Sequence, residues 1–288
     1  MKKFSLRRLL IALVAAGSVG AVGLSSVPSA AAAASDGFKC DGQVFQSAGG
    51  KETTRLYAGR AGADGAGPMS LSPLGPATSK YNAIGIDPDT HYIFAVRAKN
   101  DHLLRINKAG RVADLGKISG LPNGNYYRGA FDPEGNYYII GGNKLYWIDV
   151  DTRRVTKTVT LSSAFTSGDM TYMSVSGFAE NPTLWGADNR GGRILGLNPY
   201  TGEVSSVDMP SLPAGRYGGA HDTLAWHDDE GFAQGDGELM FLESSQGKLY
   251  RLRVYADHHS GTEFGRVSVQ DSARPSANND ATGCSVSS

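Results

Sequence analysis

Residues 87–112 read DPDTHYIFAVRAKNDHLLRINKAGRV, and residues 132–155 read DPEGNYYIIGGNKLYWIDVDTRRV. Each begins with Asp-Pro-acid and a small turn. An aromatic-rich apolar run follows, then a polar gap, a second apolar run, a second turn and a valine. A repeat of about 45 residues is the period of propellers and solenoids, in which one supersecondary unit recurs because it cannot bury its apolar faces alone. Five units can be laid side by side, the first at Asp41–Gly75 and the last ending at Asp271.

Each complete unit offers four short strands, a to d. Strand a is small and apolar: NAIGI, RGAF, VSGFA and TLAW. Strand b is aromatic and aliphatic: HYIFAV, NYYIIG, PTLWGA and ELMFLE. Strand c alternates apolar with polar residues (HLLRIN, KLYWIDV), and strand d is polar and Val-rich (RVADLG, EVSSVD). Gly, Pro, Asn and Asp punctuate the gaps as turn residues. No long window escapes Gly and Pro, so no helix is predicted.

A gradient from small and apolar to polar across four strands predicts an all-β chain folded as a β-propeller with five four-stranded blades, bulk being excluded where strands crowd the axis. The first unit lacks a strand a, and the tail ARPSANNDATGC has no blade of its own. In a ring the tail can complete the first blade. A sixth blade, assembled from the first unit and the tail, is the alternative.

Residues 1–34 read as a secretory signal peptide. Lys2, Lys3, Arg7 and Arg8 precede an apolar Leu9–Leu24 stretch and a small-residue cleavage region at about 31–35. The general secretory route fits better than the twin-arginine route, since the residues around Arg7 and Arg8 suit the latter poorly. Residues 36–288 form a single propeller domain in this reading, secreted to the extracellular space, with no anchor. Cys40 and Cys284 are the only cysteines and lie near opposite ends of that domain. An oxidising destination makes a disulfide the expected pairing, which only a closed ring accommodates. Two unpaired thiols or an intermolecular bridge are the alternatives. The leader holds four of the 28 basic residues and none of the 28 acidic ones, so the exported chain is net acidic. That argues against nucleic acid or an anionic membrane as partner.

Four pieces carry a resemblance: the CDGQVFQS at Cys40–Ser47, the YNAIGIDP at Tyr81–Pro88, the RGAFDPEGNYYI at Arg128–Ile139 and the NNDATGC at Asn278–Cys284. On these the chain resembles secreted actinobacterial propeller domains of unknown function. The resemblance implies a propeller and export, and carries no activity, cofactor or catalytic residue. A looser resemblance to propeller lactonases and streptogramin-lyase-like propellers covers blade shape alone.

The d-to-a and b-to-c loops of a propeller line one mouth of its channel. Tyr81, Asn82, Tyr126, Tyr127, Arg128 and Tyr172 are placed there, with Arg216 and Tyr217. The b-to-c loops add Arg97, Asn189 and Arg190. Tyr and Arg give large contact area with a polar tip, which suits a sugar or a peptide. The same tyrosines can instead pack between blades. Asp169, Asp188 and His221 are the weak catalytic candidates at the mouth, in a reading as a hydrolase or lyase with calcium as its possible cofactor. His227 shares the segment of His221, but a six-residue spacing on a strand separates two side chains by ~20 Å. ADHHSG at residues 256–261 reads as an exposed loop, and no metal-ligand set stands out. Asp87 and Asp132 belong to a-to-b turns on the far face, and Asp149 and Asp151 to a c-to-d turn. Nucleophile elbows and phosphate-binding glycine loops are absent. The favoured expectation is a non-enzymatic module that binds an extracellular carbohydrate or protein and needs no cofactor; the sequence leaves its oligomeric state open.

Overall fold

The computed structural model describes residues 36–60, 69–173, 184–222, 237–243, 245–257, 261–271 and 278–284. They build twenty strands in five four-stranded antiparallel sheets, with no helix among the described residues. The first sheet holds β1 (Gln43–Gly49), β2 (Thr53–Arg60) and β3 (Ser72–Ser79). The second runs β4 (Tyr81–Ile86), β5 (Ile93–Arg97), β6 (His102–Ile106) and β7 (Val112–Lys117). The third is β8 (Arg128–Phe131), β9 (Tyr137–Gly141), β10 (Lys144–Asp149) and β11 (Arg154–Thr160). The fourth is β12 (Thr171–Tyr172), β13 (Leu184–Ala187), β14 (Arg193–Leu197) and β15 (Val204–Asp208). The fifth is β16 (Tyr217–Asp222), β17 (Gly237–Glu243), β18 (Lys248–Asp257) and β19 (Gly261–Asp271).

The last strand, β20 (Asn278–Cys284), returns to the first sheet and pairs antiparallel with β1 along its whole length, from Gln43 opposite Cys284 to Gly49 opposite Asn278. It supplies the inner strand that the first unit lacks. The inner strands touch in a closed cycle: β20 against β4, β4 against β8, β8 against β12, β12 against β16, and β16 against β20. The molecule is a five-bladed β-propeller.

Five separate apolar clusters fill the five seams between blades. Phe45 and Leu56 meet Ile84 and Leu104 between the first and second blades. Phe94 and Leu103 meet Tyr137 and Ile139 at the next seam. Tyr138 and Trp147 meet Leu184 and Leu195, Trp185 and Ile194 meet Phe241 and Tyr250, and Met240 and Leu249 meet Val44 and Leu71. Strand alternation explains the partition. Phe94 and Val96 face one neighbour while Ile93 and Ala95 face the other, so strand b must be apolar on both sides. Each such side chain is worth about 1.5–3 kcal/mol on full burial. The outer strands face solvent: β3 carries Pro73 and Pro76, tolerated there because an edge has no ladder to complete.

The turns repeat for local reasons. Asn107, Asp149 and Asn198 open the c-to-d turns of three blades, each accepting two backbone N–H bonds on its own side-chain oxygen, as from Ala109 and Arg111 to Asn107. Asp87 and Asp132 do similar work in the a-to-b turns, where Asp87 accepts from the Asp89 N–H and Asp132 from the Asn136 N–H.

Close packing at the axis explains the small strand a. A Cβ at Gly129 would lie 2.1 Å from the Ala83 carbonyl oxygen, and one at Gly218 would lie 3.1 Å from Ala281 Cβ. Strand a was expected at VSGFA in the fourth unit and TLAW in the fifth. The inner strands lie earlier, at Thr171–Tyr172 and Tyr217–Asp222. Both expected segments fall outside the described residues. Their small and apolar composition gave no means of setting the register, which contact with neighbouring inner strands decides.

Candidate functional site

The inner strands converge on two carboxylates, Asp169 and Asp280, which are 1% and 0% exposed. Asp169 precedes β12 in the fourth blade, and Asp280 sits in β20. Asp169 accepts backbone N–H bonds from Gly129 (3.3 Å), Gly219 (2.8 Å) and Ala281 (3.0 Å). Met170 adds its N–H to the same carboxyl. Asp280 accepts from Ile84 at 2.6 Å and from Ala281 at 3.0 Å. Ile84, Gly129, Met170, Gly219 and Ala281 come one from each of the five blades, so every blade spends an inner-strand N–H on this pair. Such groups have no ladder partner on the axial side and would otherwise be buried unsatisfied.

The two carboxyls also hydrogen-bond each other. Burial raises both pKa values. Asp169 is pushed up to about 6 despite the N–H donors, which pull the other way. Asp280 stands well above the ordinary carboxyl range, through burial and then the Asp169 charge. Asp280 therefore holds the shared proton and Asp169 takes the charge. Tyr137 closes the ring of contacts, donating its hydroxyl to the Ala83 carbonyl. Burial raises its pKa, and the two aspartates add to the rise. Arg128 leans over the pair from β8 and donates Nε–H to the Ser167 carbonyl at 2.7 Å. This arrangement is built for an anion sealed from water, and donors aimed inward disfavour a cation.

Asp188 is held elsewhere. It is 0% exposed and accepts from the Thr166 hydroxyl (2.8 Å), the Arg190 N–H (3.0 Å) and Arg193 Nη2 (2.6 Å). Burial would raise its pKa, but these donors outweigh that and hold it below the ordinary value. Among the described residues the Asp169 and Asp188 carboxyls share no hydrogen-bond donor. The His221 backbone lies in β16 opposite Leu239, but its side chain lies outside the described residues, as do His227 and the histidines of ADHHSG. Among the described residues no three His, Cys, Asp or Glu side chains cluster as a metal would require.

The tyrosines expected at the mouth divide by burial. Tyr81, Tyr126 and Tyr217 are buried. Tyr126 and Tyr217 end the same Leu-Pro-x-Gly-x-Tyr stretch, at 121–126 and 212–217. Each donates its hydroxyl at 2.5 Å to the proline carbonyl four residues back. Each ring then meets a strand-c tyrosine edge-on, Tyr146 at 6.2 Å and Tyr250 at 5.8 Å. Tyr81 packs between the first two blades. Tyr127 remains open at 43% exposure, and Arg190 and Arg216 are exposed beside the half-buried Asn189. The Gly215 N–H bonds the Asn189 carbonyl, which ties the loops of Arg190 and Arg216 together.

Asn82 is buried with no partner for Oδ1. Arg97 is paired at 2.8 Å with Asp114. Tyr172 stands toward the opposite face: burial, then the charges of Glu134 and Asp132, push its pKa up to about 12. Sequence reasoning missed Asp280 altogether. The available signal was an acid within the small-residue tail strand, placed like Asp169 just before an apolar residue.

Solved structures of low identity match the chain in part. A catalytically inactive virginiamycin B lyase from Staphylococcus aureus with quinupristin is 16% identical, with a TM-score of 0.41 over 81% of this chain and 71% of that one. A protein of unknown function from Bacteroides thetaiotaomicron is also 16% identical, with a TM-score of 0.47 over 82% and 61%. A nidogen/laminin complex gives 14% identity and a TM-score of 0.43 over 84% and 98%. No curated protein matches the chain. Residues 44–286 match the family described as Repeat of unknown function (DUF6923), and the chain belongs to that family.

Proposed function

We propose that this propeller is a secreted binding module that recognises an extracellular carbohydrate or protein through the loops at its channel mouth. One observation carries the reading: the acids at the axis and Asp188 are already spent. Asp169, Asp188 and Asp280 are buried, and backbone or side-chain donors hold them. A hydrolase or lyase needs a carboxylate that reaches its substrate. What faces solvent instead is Tyr127, Arg190 and Arg216, residue types suited to contact. Export of residues 36–288, as in the secreted actinobacterial propellers that the chain resembles, and a Cys40–Cys284 disulfide belong to the same proposal. The backbone register supports the disulfide, since Cys284 stands opposite Gln43, three residues beyond Cys40. The Cys284 side chain lies outside the described residues.

The test is a glycan array and a panel of extracellular matrix proteins probed with the purified chain, with Tyr127→Ala and Arg216→Ala beside it. Saturable binding that the two substitutions weaken, with no product released, is the expected result. Turnover of a bound substrate that disappears in Asp169→Asn overturns the reading.

A further inference from the structure

A cleft of about 180 Å³ opens between the first two blades on the mouth side, lined by Lys51, Glu52, Ser79, Lys80, Arg97 and Lys99. Three loops meet there: the β1–β2 turn, the β3–β4 connection and the turn after β5. Backbone bonds stitch them together, from the Lys80 N–H to the Glu52 carbonyl (3.1 Å) and from the Ala98 N–H to the Lys80 carbonyl (2.9 Å). The wall is therefore set before any ligand arrives.

Cations gather at this cleft. Arg60, Arg193 and Arg251 are each ion-paired with Asp41, Asp188 and Glu238. Arg97 is neutralised by Asp114. Lys51, Lys80 and Lys99 have no ion pair among the described residues, and Glu52 is the one acid lining the cleft with them. Three ammonium groups around a cleft repel one another, and an anion placed among them relieves that. Ser79 and Glu52 add hydroxyl-binding groups, and Ala98 is the one apolar lining residue. The cleft lies below the 300–1,000 Å³ range of drug-sized ligands.

We infer that this cleft is a subsite for a small polyhydroxylated carboxylate of the uronic-acid class. The inference rests on the binding reading above and names its ligand chemistry. Lys51, Lys80 and Lys99 hold the carboxylate as point charges, and Glu52 and Ser79 take sugar hydroxyls.

The experiment is calorimetric titration of the purified chain with D-glucuronate, D-glucose, inorganic sulfate and a tetraglutamate peptide. Glucuronate is expected to bind at roughly millimolar affinity, the range for solvent-exposed charge contacts. It should bind at least about tenfold tighter than glucose, and weaken as sodium chloride rises. Lys51→Gln/Lys99→Gln should lose about tenfold or more, while Lys51→Arg/Lys99→Arg keeps binding. Both positions are exposed, so equal melting temperatures of the variants show that the fold is intact. Glucose or tetraglutamate binding as tightly as glucuronate overturns the inference, as does sulfate binding more tightly, or unchanged affinity in the glutamine variant. If the lysine variants leave binding intact while Tyr127→Ala abolishes it, the cleft is refuted and the mouth reading stands. If nothing binds in either assay, both fall.

Discussion

Replacing Asp280 with asparagine should change how stability depends on pH, because the axial pair is a proton trap. A carboxyl with a raised pKa in the folded chain binds its proton more tightly there than in the unfolded chain. Its contribution is fully present below the ordinary carboxyl range near pH 4 and is lost as pH rises through the folded value. For Asp169 the loss runs from about pH 4 to about pH 6. Asp280 keeps its proton to higher pH, so the loss there continues at about 1.4 kcal/mol per pH unit. Between pH 5 and pH 6 Asp169 alone should cost about 1 kcal/mol, and Asp280 adds to that loss and carries it on to higher pH. In Asp280→Asn the amide can still donate to Asp169, with no proton to trap; its single oxygen accepts from only one of the Ile84 and Ala281 N–H groups, which bond separate oxygens in the parent, and that loss does not depend on pH. Urea unfolding of parent and variant at several pH values measures the difference, which cancels the opposite slopes of Asp188 and Glu243, whose pKa values are lowered. The variant should gain on the parent steadily as pH rises from 5 to 7.5. Parallel curves would falsify the shared-proton account.

Other perturbations test separate parts of the fold. Gly129→Ala forces a Cβ to 2.1 Å from the Ala83 carbonyl oxygen, and should cost about 3 kcal/mol, seen as a lowered thermal midpoint. An unchanged midpoint would mean that the axis is slack. Tyr126→Phe and Tyr217→Phe each remove a hydroxyl bond to a proline carbonyl and should each cost about 1 kcal/mol in denaturant, whereas Tyr127→Phe at the surface should be neutral. Removing residues 278–288 deletes β20 and Asp280 together, so the truncated chain should lose the cooperative unfolding of the parent. Mass spectrometry without reductant should find the exported chain two hydrogens lighter than its dithiol form. Cys40→Ser should lower stability by at most about 5 kcal/mol, since the bridge would close nearly the whole chain.

Much of this protein was written locally. The period, the four strands per unit and the turns at Asp87, Asp132, Asn107, Asp149 and Asn198 depend on residues within a few positions of one another, so they read directly from the sequence. Strand b could be assigned because both of its faces must be apolar. The need for the tail in the first blade followed from counting strands. The axial pair could not be read that way. Asp169 and Asp280 are 111 positions apart, and their N–H donors come from five blades. Whether a tyrosine faces a ligand or a neighbouring blade is equally non-local. Tyr126 and Tyr127 are adjacent in the connection before β8, yet one enters a seam and the other faces solvent. The cleft between the first two blades combines lysines from three loops that the packing of the second blade on the first brings together. The sequence by itself determined the blade, because a blade is a matter of short-range periodicity. The tertiary structure alone decided which acids are sealed at the axis and which cations are left open to a ligand, because the first is set by five strands meeting at one point and the second by the packing of one blade on the next.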